Sequence, residues 1–228
     1  MVGALATAGQ LRVEVALADV LVEGIEFIGR EDIRFAEVMG YEVRLIAIGR
    51  RTDAGLEMRV HPALVASTHP IAQVQGADNI VLIKSVPGGD LTLIGPGAGP
   101  GPTAAAVSAD IISVARGVRG PVMRAPARTL EKVTPAGLGE QRSRCYLRFS
   151  LQDAPGAIAG VAQTLAKHKI SIDSLMQPSV GEHPDADVAA TVIITTHVAP
   201  VGDVRAAIEE IAAGPFARGR PRFIRIED

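Results

Sequence analysis

Cys145-Tyr146-Leu147-Arg148-Phe149-Ser150-Leu151-Gln152-Asp153-Ala154-Pro155-Gly156-Ala157-Ile158 decides how the C-terminal third of this 228-residue chain folds. Cys145, Leu147 and Phe149 alternate with polar neighbours, the period of a half-buried strand. Pro155 stands where the first turn of a helix tolerates proline. Ile158, Val161 and Leu165 then recur at helical spacing, and Lys167-His168-Lys169 closes the helix with positive charge that suits its C-terminus. Further out come a strand from Ile170 to about Gln177, a polar turn at Gly181-Glu182-His183-Pro184-Asp185 and a long β-prone run from Val188 to His197. Asp203 precedes a helix carrying Val204, Ala207, Ile208 and Ile211, stopped by Gly214-Pro215, and Arg222 to Ile226 is the last strand. This βαββαβ order is the ferredoxin-like split unit, an antiparallel sheet with two helices on one face.

Residues 1–120 read as alternating short strands and helices. Val20-Leu21-Val22 is a strand, and a helix begins at Glu31-Asp32, with Ile33, Phe35, Ala36 and Met39 ending at Gly40. Glu42 to Gly49 and Leu56 to His61 form one hairpin across a polar turn. After Pro62 the segment Ser67 to Ala72 reads as a loop, because proline biases its predecessor away from helix. Ile80 to Val86 and Leu91 to Ile94 form a second hairpin across Pro87-Gly88-Gly89-Asp90. Residues 121–143, with Pro121, Pro126 and Pro135 among several arginines, read as a linker.

The second hairpin delivers the chain to Gly95-Pro96-Gly97-Ala98-Gly99-Pro100-Gly101-Pro102-Thr103, which opens a helix whose Val107, Ile111 and Val114 predict one buried face. Glycines at alternate positions leave backbone open to a planar or phosphate-bearing ligand at a helix start. The same spacing serves equally as a tight turn that lets a helix pack close to a sheet. A dinucleotide fingerprint needs a following strand and an acid about twenty residues on, and the chain supplies neither.

Composition narrows the function. A formal net charge of -2 with both signs interspersed, and 3% aromatic residues, argue against nucleic-acid binding. Met1 to Val22 carries Gln10, Arg12, Glu14 and Asp19, so it offers no uncharged membrane span, and it lacks the basic start of a signal peptide. The single cysteine, Cys145, suits a reducing compartment, with the cytoplasm as the expected location. His61 and His69 each precede proline in loops and read as structural, His168 is a helix-end residue, and His183 and His197 read as exposed. No pair has metal-ligand spacing, so no metal site is assigned. Glu23 and Glu26 read as solvated acids beside a strand.

The quoted stretch, with Ile170-Ser171-Ile172, resembles the ACT domain, a small module that binds amino acids. The upstream part resembles the C-terminal portion of the homoserine dehydrogenase catalytic domain. Its motifs are Val22-Glu23-Gly24-Ile25, Asp32-Ile33, Gly40-Tyr41, Val60-His61-Pro62, His69-Pro70-Ile71-Ala72-x-Val74-x-Gly76 and Gly97-Ala98-Gly99-x-x-Pro102-Thr103-Ala104, all in the family's order. The resemblance implies an α+β chain: a partial catalytic domain with a mixed sheet and helices over 1–120, a linker over 121–143, and an ACT domain over 144–228.

The resemblance also implies NAD(P)H-dependent interconversion of aspartate semialdehyde and homoserine, on the route to threonine and methionine. NADP or NAD would be held by a Rossmann domain that this sequence does not contain, and Gly97, Gly99, Pro102 and Thr103 would meet the cofactor. The family's lysine and substrate carboxylates lie upstream of Met1, so no catalytic residue is assigned. The chain is expected to be a fragment, an alternative start or a truncated gene model, inactive by itself. Asp153, Ala154, Gly156, Ala157, Ile158 and Gln177 would bind an amino-acid effector, threonine first, across a dimer interface. The expected partners are further copies of the chain, through the catalytic-domain sheet and the ACT domain. The alternative is a stand-alone amino-acid-binding regulator on a relict dimerisation scaffold.

Overall fold

The computed structural model describes residues 16–53, 55–118, 141–178 and 189–227, together with the backbone of Val13–Glu14 and Glu131–Lys132. The Gly181–Asp185 turn, His183 and most of the 121–143 linker lie outside the described residues. In chain order the elements are β1 (Val13–Glu14), β2 (Leu21–Val22), α1 (Arg30–Val38), β3 (Tyr41–Thr52), β4 (Gly55–Ala66), α2 (Pro70–Gln73), β5 (Asp78–Ser85), β6 (Gly89–Pro96) and α3 (Pro100–Ala115). There follow β7 (Glu131–Lys132), β8 (Arg142–Gln152), α4 (Ala157–Lys167), β9 (Ile172–Met176), β10 (Ala189–Thr196), β11 (Ala199–Pro200), α5 (Val201–Ala212) and β12 (Arg222–Glu227).

The order from β8 to β12 is the βαββαβ unit, with β12, β8, β10 and β9 adjacent and antiparallel. That sheet does not stop at β12. Arg225, Ile226 and Glu227 pair in parallel with Ala63, Leu64 and Val65 of β4, which also pairs with β2 and with the whole of β3. One mixed sheet therefore runs through both halves of the chain.

β8 is buried on both faces because the pleat sends alternate residues to two different cores. Cys145, Leu147, Phe149 and Leu151 join Val161, Leu165, Val204, Ala207 and Ile211 under α4 and α5. Tyr146 turns the other way, where Phe35 and Ala36 of α1 pack with Leu64, Ile193, Ile224 and Ile226.

The first hairpin is longer than its apolar pattern predicts. β4 passes through Pro62 to Ala66, although a proline usually excludes a central strand. Pro62 lies between the stretch of β4 that pairs with β2 (Arg59, Val60) and the stretch that pairs with β12 (Ala63 to Val65), where no partner requires its missing N–H. His61 is accordingly in a buried strand rather than a loop. The expected loop around His69 contains one helical turn, α2, whose start is capped by His69 Nδ1 accepting from the Ile71 N–H at 3.3 Å. The effector-loop helix begins at Ala157, so Pro155 precedes it, and Asp203 lies inside the first turn of α5.

Candidate functional site

The glycine loop leaves β6 with its geometry set by neighbours. The Gly97 N–H donates to the Ala77 carbonyl at 2.9 Å, and a Cβ at Gly97 would collide with the Asn79 amide. Gly99 is the residue before α3 and has φ 122°, a backbone state that side chains rarely adopt. Pro100 and Pro102 remove two of the first three N–H groups of the helix, and the Thr103 N–H bonds back to the Gly99 carbonyl at 3.2 Å. The loop is exposed and poor in donors. With two prolines at the helix start and the Gly97 N–H already bonded, it lacks the converging N–H groups a phosphate requires.

The buried helix face predicted beyond the loop is not found. Val107, Ile111 and Val114 are 52%, 63% and 78% exposed, and α3 contains no buried residue. Val81, Leu91, Leu93 and Ile94 of the β5–β6 hairpin are exposed as well. This hairpin is a two-stranded sheet of its own, not hydrogen-bonded to the large one, and its apolar side chains and those of α3 stand largely exposed among the described residues.

The loop after β8 is a tight turn that leads into α4. Gly156 has φ 93° and ends the turn, and Asp153 is exposed at its tip. The Ala157 N–H bonds to the Ala154 carbonyl at 3.1 Å, which leaves the other first-turn N–H groups of α4 without helical acceptors. Ala157 is buried and Ile158 half-buried, packed against the α4–α5 core. Gln177 is not brought to this loop. It follows Met176, which pairs with Ile193, and Ile193 in turn pairs with Arg148. Gln177 therefore lies level with Phe149 and two strands away, about 13 Å along and about 10 Å across from Asp153 at ordinary strand spacings.

Two buried ionic networks, neither evident in the sequence pattern, join the halves of the sheet. On the α1 face, Asp32 is 1% exposed and accepts from Arg148 Nε at 2.6 Å and Nη2 at 2.9 Å, from the Gly29 N–H at 2.9 Å and from the Tyr146 hydroxyl at 3.2 Å. Burial works against the Asp32 charge, yet these bonds and the Arg148 charge hold its pKa below the usual carboxylate range.

On the α4–α5 face, Glu57, Arg59 and His61 of β4 face Arg225 and Glu227 of β12. Arg59 donates from Nη2 to Glu227 at 2.7 Å and from Nε to His61 Nε2 at 2.8 Å, and it is paired with Glu57. His61 Nδ1 is 3.0 Å from the Pro62 carbonyl, which fixes the neutral tautomer. Burial, with Arg225 and Arg59 nearby, pushes the His61 pKa down to about 4. Glu23, expected to be solvated, is gripped by Arg225 (2.7 and 3.1 Å) and by Arg205 of α5. Burial would raise its pKa, but Arg225 and Arg205 hold it low. Cys145 is fully buried and its thiol is pushed up to about 12, so it is chemically inert. Among the described residues no three His, Cys, Asp or Glu side chains converge to hold a metal, and no helix is long and apolar enough to cross a membrane.

Comparisons with known proteins agree with the arrangement. Residues 4–112 match the family model described as Homoserine dehydrogenase, and residues 146–213 match the ACT domain. The chain is 34% identical over 221 residues to homoserine dehydrogenase of Synechocystis sp., covering 91% of this chain and 49% of that protein. With homoserine dehydrogenase of Mycobacterium bovis it shares 33% identity over 222 residues, covering 93% and 49%. Among solved structures, a homoserine dehydrogenase from Thiobacillus denitrificans superposes with a TM-score of 0.82 at 34% identity, over 97% of this chain and 52% of that one. The S. aureus enzyme, at 22% identity and a TM-score of 0.61, shares the fold. The chain spans about half the length of the relatives it matches.

Proposed function

We propose, for a chain that belongs to the homoserine dehydrogenase family over residues 4–112 and to the ACT family over 146–213, that it supplies the C-terminal half of an NAD(P)-dependent homoserine dehydrogenase with amino-acid feedback. The observation that carries this reading is the superposition on the Thiobacillus denitrificans enzyme across 97% of the chain.

In this reading the nicotinamide cofactor supplies hydride transfer between homoserine and aspartate semialdehyde, in threonine and methionine biosynthesis. The residues present fit one part of that cofactor. The exposed Gly97–Thr103 loop presents backbone with few N–H groups, which suits a nicotinamide ring better than a pyrophosphate. Gly99 and Gly97 would meet the ring, with Pro102 and Thr103 fixing the helix start that orients them. The exposed apolar surface of β5, β6 and α3 is the contact between copies of the chain, and Asp153 to Ile158 receives threonine, completed by residues of a neighbouring copy because Gln177 is too distant within one chain. The buried, lone Cys145 suits a reducing location such as the cytoplasm.

Calorimetric titration with threonine and with NADPH tests the assignment. The 228-residue chain by itself is expected to bind threonine and to show no turnover, with activity appearing when a Rossmann-containing homoserine dehydrogenase domain is supplied. Turnover by the chain alone would sink this reading. Threonine binding that no added domain converts into activity would favour a stand-alone regulator.

A further inference from the structure

An open groove of about 610 Å³ lies where the two halves of the chain meet, between the segment after β2, the start of α5 and the entry to β12. Its charge is one-sided. Arg205, Arg220, Arg222 and Arg225 line it against a single carboxylate, Glu23. Glu23 is already shared between Arg225 and Arg205, so the groove retains an excess of positive charge. Arg220 and Arg222 make no ion pair among the described residues, and Arg220 is exposed. Arg225 is 2% exposed, and its Nε has no hydrogen-bond partner among the described residues. Val201 and Gly202, the first residues of the twelve-residue helix α5, also line the groove and add the positive end of the helix dipole.

The remaining wall is apolar. Phe223 lies close to two guanidinium groups, with Arg205 at 5.0 Å and Arg225 at 5.2 Å from its ring centroid. Phe27 lines the same groove from the segment between β2 and α1. Unpaired guanidinium groups over an apolar floor are the chemistry that recognises an oxyanion attached to a short apolar body.

We infer that this groove binds a small organic anion, with the oxyanion held by Arg220, Arg222 and the start of α5 and the apolar body against Phe27 and Phe223. The site is separate from the Asp153–Ile158 loop, which opens the other helix of the unit. Its position gives the ligand a consequence. Glu23 belongs to the upstream half, whereas Arg205 and Arg225 belong to the downstream half, so an anion bound beside this ion-pair cluster is felt by both.

The test is an NMR titration of the intact 228-residue chain with acetate, hexanoate and inorganic phosphate, following the amides of Gly202 and Arg205. Hexanoate is expected to shift both saturably and at least tenfold more tightly than acetate, because the apolar floor contributes only to the longer acid. The R220A/R222A double variant is expected to lose at least tenfold in hexanoate affinity without a change in melting temperature, since neither residue is in the core. Asp153→Ala is expected to leave hexanoate binding unchanged. Saturable binding by phosphate with no preference for hexanoate over acetate would overturn the apolar part of the inference. Shifts that do not saturate, that persist in the double variant or that map to the Asp153 loop would overturn the site itself.

Discussion

Arg148 lays its guanidinium edge on the Asp32 carboxylate, Nε at 2.6 Å and Nη2 at 2.9 Å, across 116 residues of sequence. This bidentate pair joins α1, in the homoserine dehydrogenase segment, to the first strand of the ACT unit. Removing one partner leaves a buried charge uncompensated. Arg148→Met is expected to destabilise the chain by about 3–5 kcal/mol, and the D32N/R148M double variant to recover much of that loss. Urea unfolding midpoints of the single and double variants check it.

The His61 pKa of about 4 lies below its ordinary value of 6.5. Between these values the unfolded chain binds a proton that the folded chain does not, so stability falls as pH drops from about 7 to about 4, by about 3 kcal/mol from this residue. Asp32 and Glu23, with pKa values lowered from 3.8 and 4.5, contribute stability that is lost at still lower pH. His61→Gln keeps an acceptor for Arg59 and is expected to flatten the slope between pH 6.5 and 4. An unchanged slope would remove His61 as the source of the acid lability in this range.

Gly99 and Gly101 are two residues apart, and their substitutions isolate the cost of backbone strain, since neither position is crowded. Gly99 holds φ 122°, and Gly101 has no atom within 4 Å of an added Cβ and no positive φ. Gly99→Ala is expected to cost about 1–3 kcal/mol of stability, and Gly101→Ala to stay within about 0.5 kcal/mol of the parent. Chemical denaturation of both variants reads the difference.

Asp153 is exposed and sits beside the open start of α4, so its replacement leaves the core untouched and tests the proposed effector loop. Asp153→Ala is expected to weaken threonine binding by roughly tenfold, about 1.4 kcal/mol, through loss of the ammonium partner, with the melting temperature unchanged. Calorimetry on the parent and variant decides.

Leu93 of β6 and Ile111 of α3 are 52% and 63% exposed. If copies of the chain meet there, L93K/I111K shifts sedimentation towards the monomer without loss of folded structure, because neither residue contributes to a core of the chain. An unchanged sedimentation profile would move the interface elsewhere.

The βαββαβ unit was legible because its signals are local: alternation at Cys145, Leu147 and Phe149, helical spacing at Val161 and Leu165, and stops at Gly214-Pro215. The glycine loop was legible for the same reason, since Gly99 and Pro102 declare a special backbone state by residue type alone. The ionic networks were not. Glu23, Asp32, Arg59 and Arg225 are ordinary charged residues until the two halves of the sheet meet, and pairing across more than 110 positions leaves no periodic trace. His61 was placed in a loop on the strength of the following proline, an inference defeated by the gap between β2 and β12 along β4. The buried face predicted for α3 failed for a different reason. Val107, Ile111 and Val114 state that a surface is apolar, and periodicity says nothing of whether the same chain covers it.

The insertion of β12 between β4 and β8 also sets an order of assembly. β12 follows every other described strand in sequence, yet it is the slat that joins the β3–β4 hairpin to the rest of the sheet. During synthesis the hairpin and the β8–β10 ladder can form as they emerge, while their junction waits for residues 222–227 and closes a loop of well over a hundred residues. Until that strand arrives, β4 and β8 each present a bare edge, and the nascent chain is most prone to pairing with a neighbour at that stage.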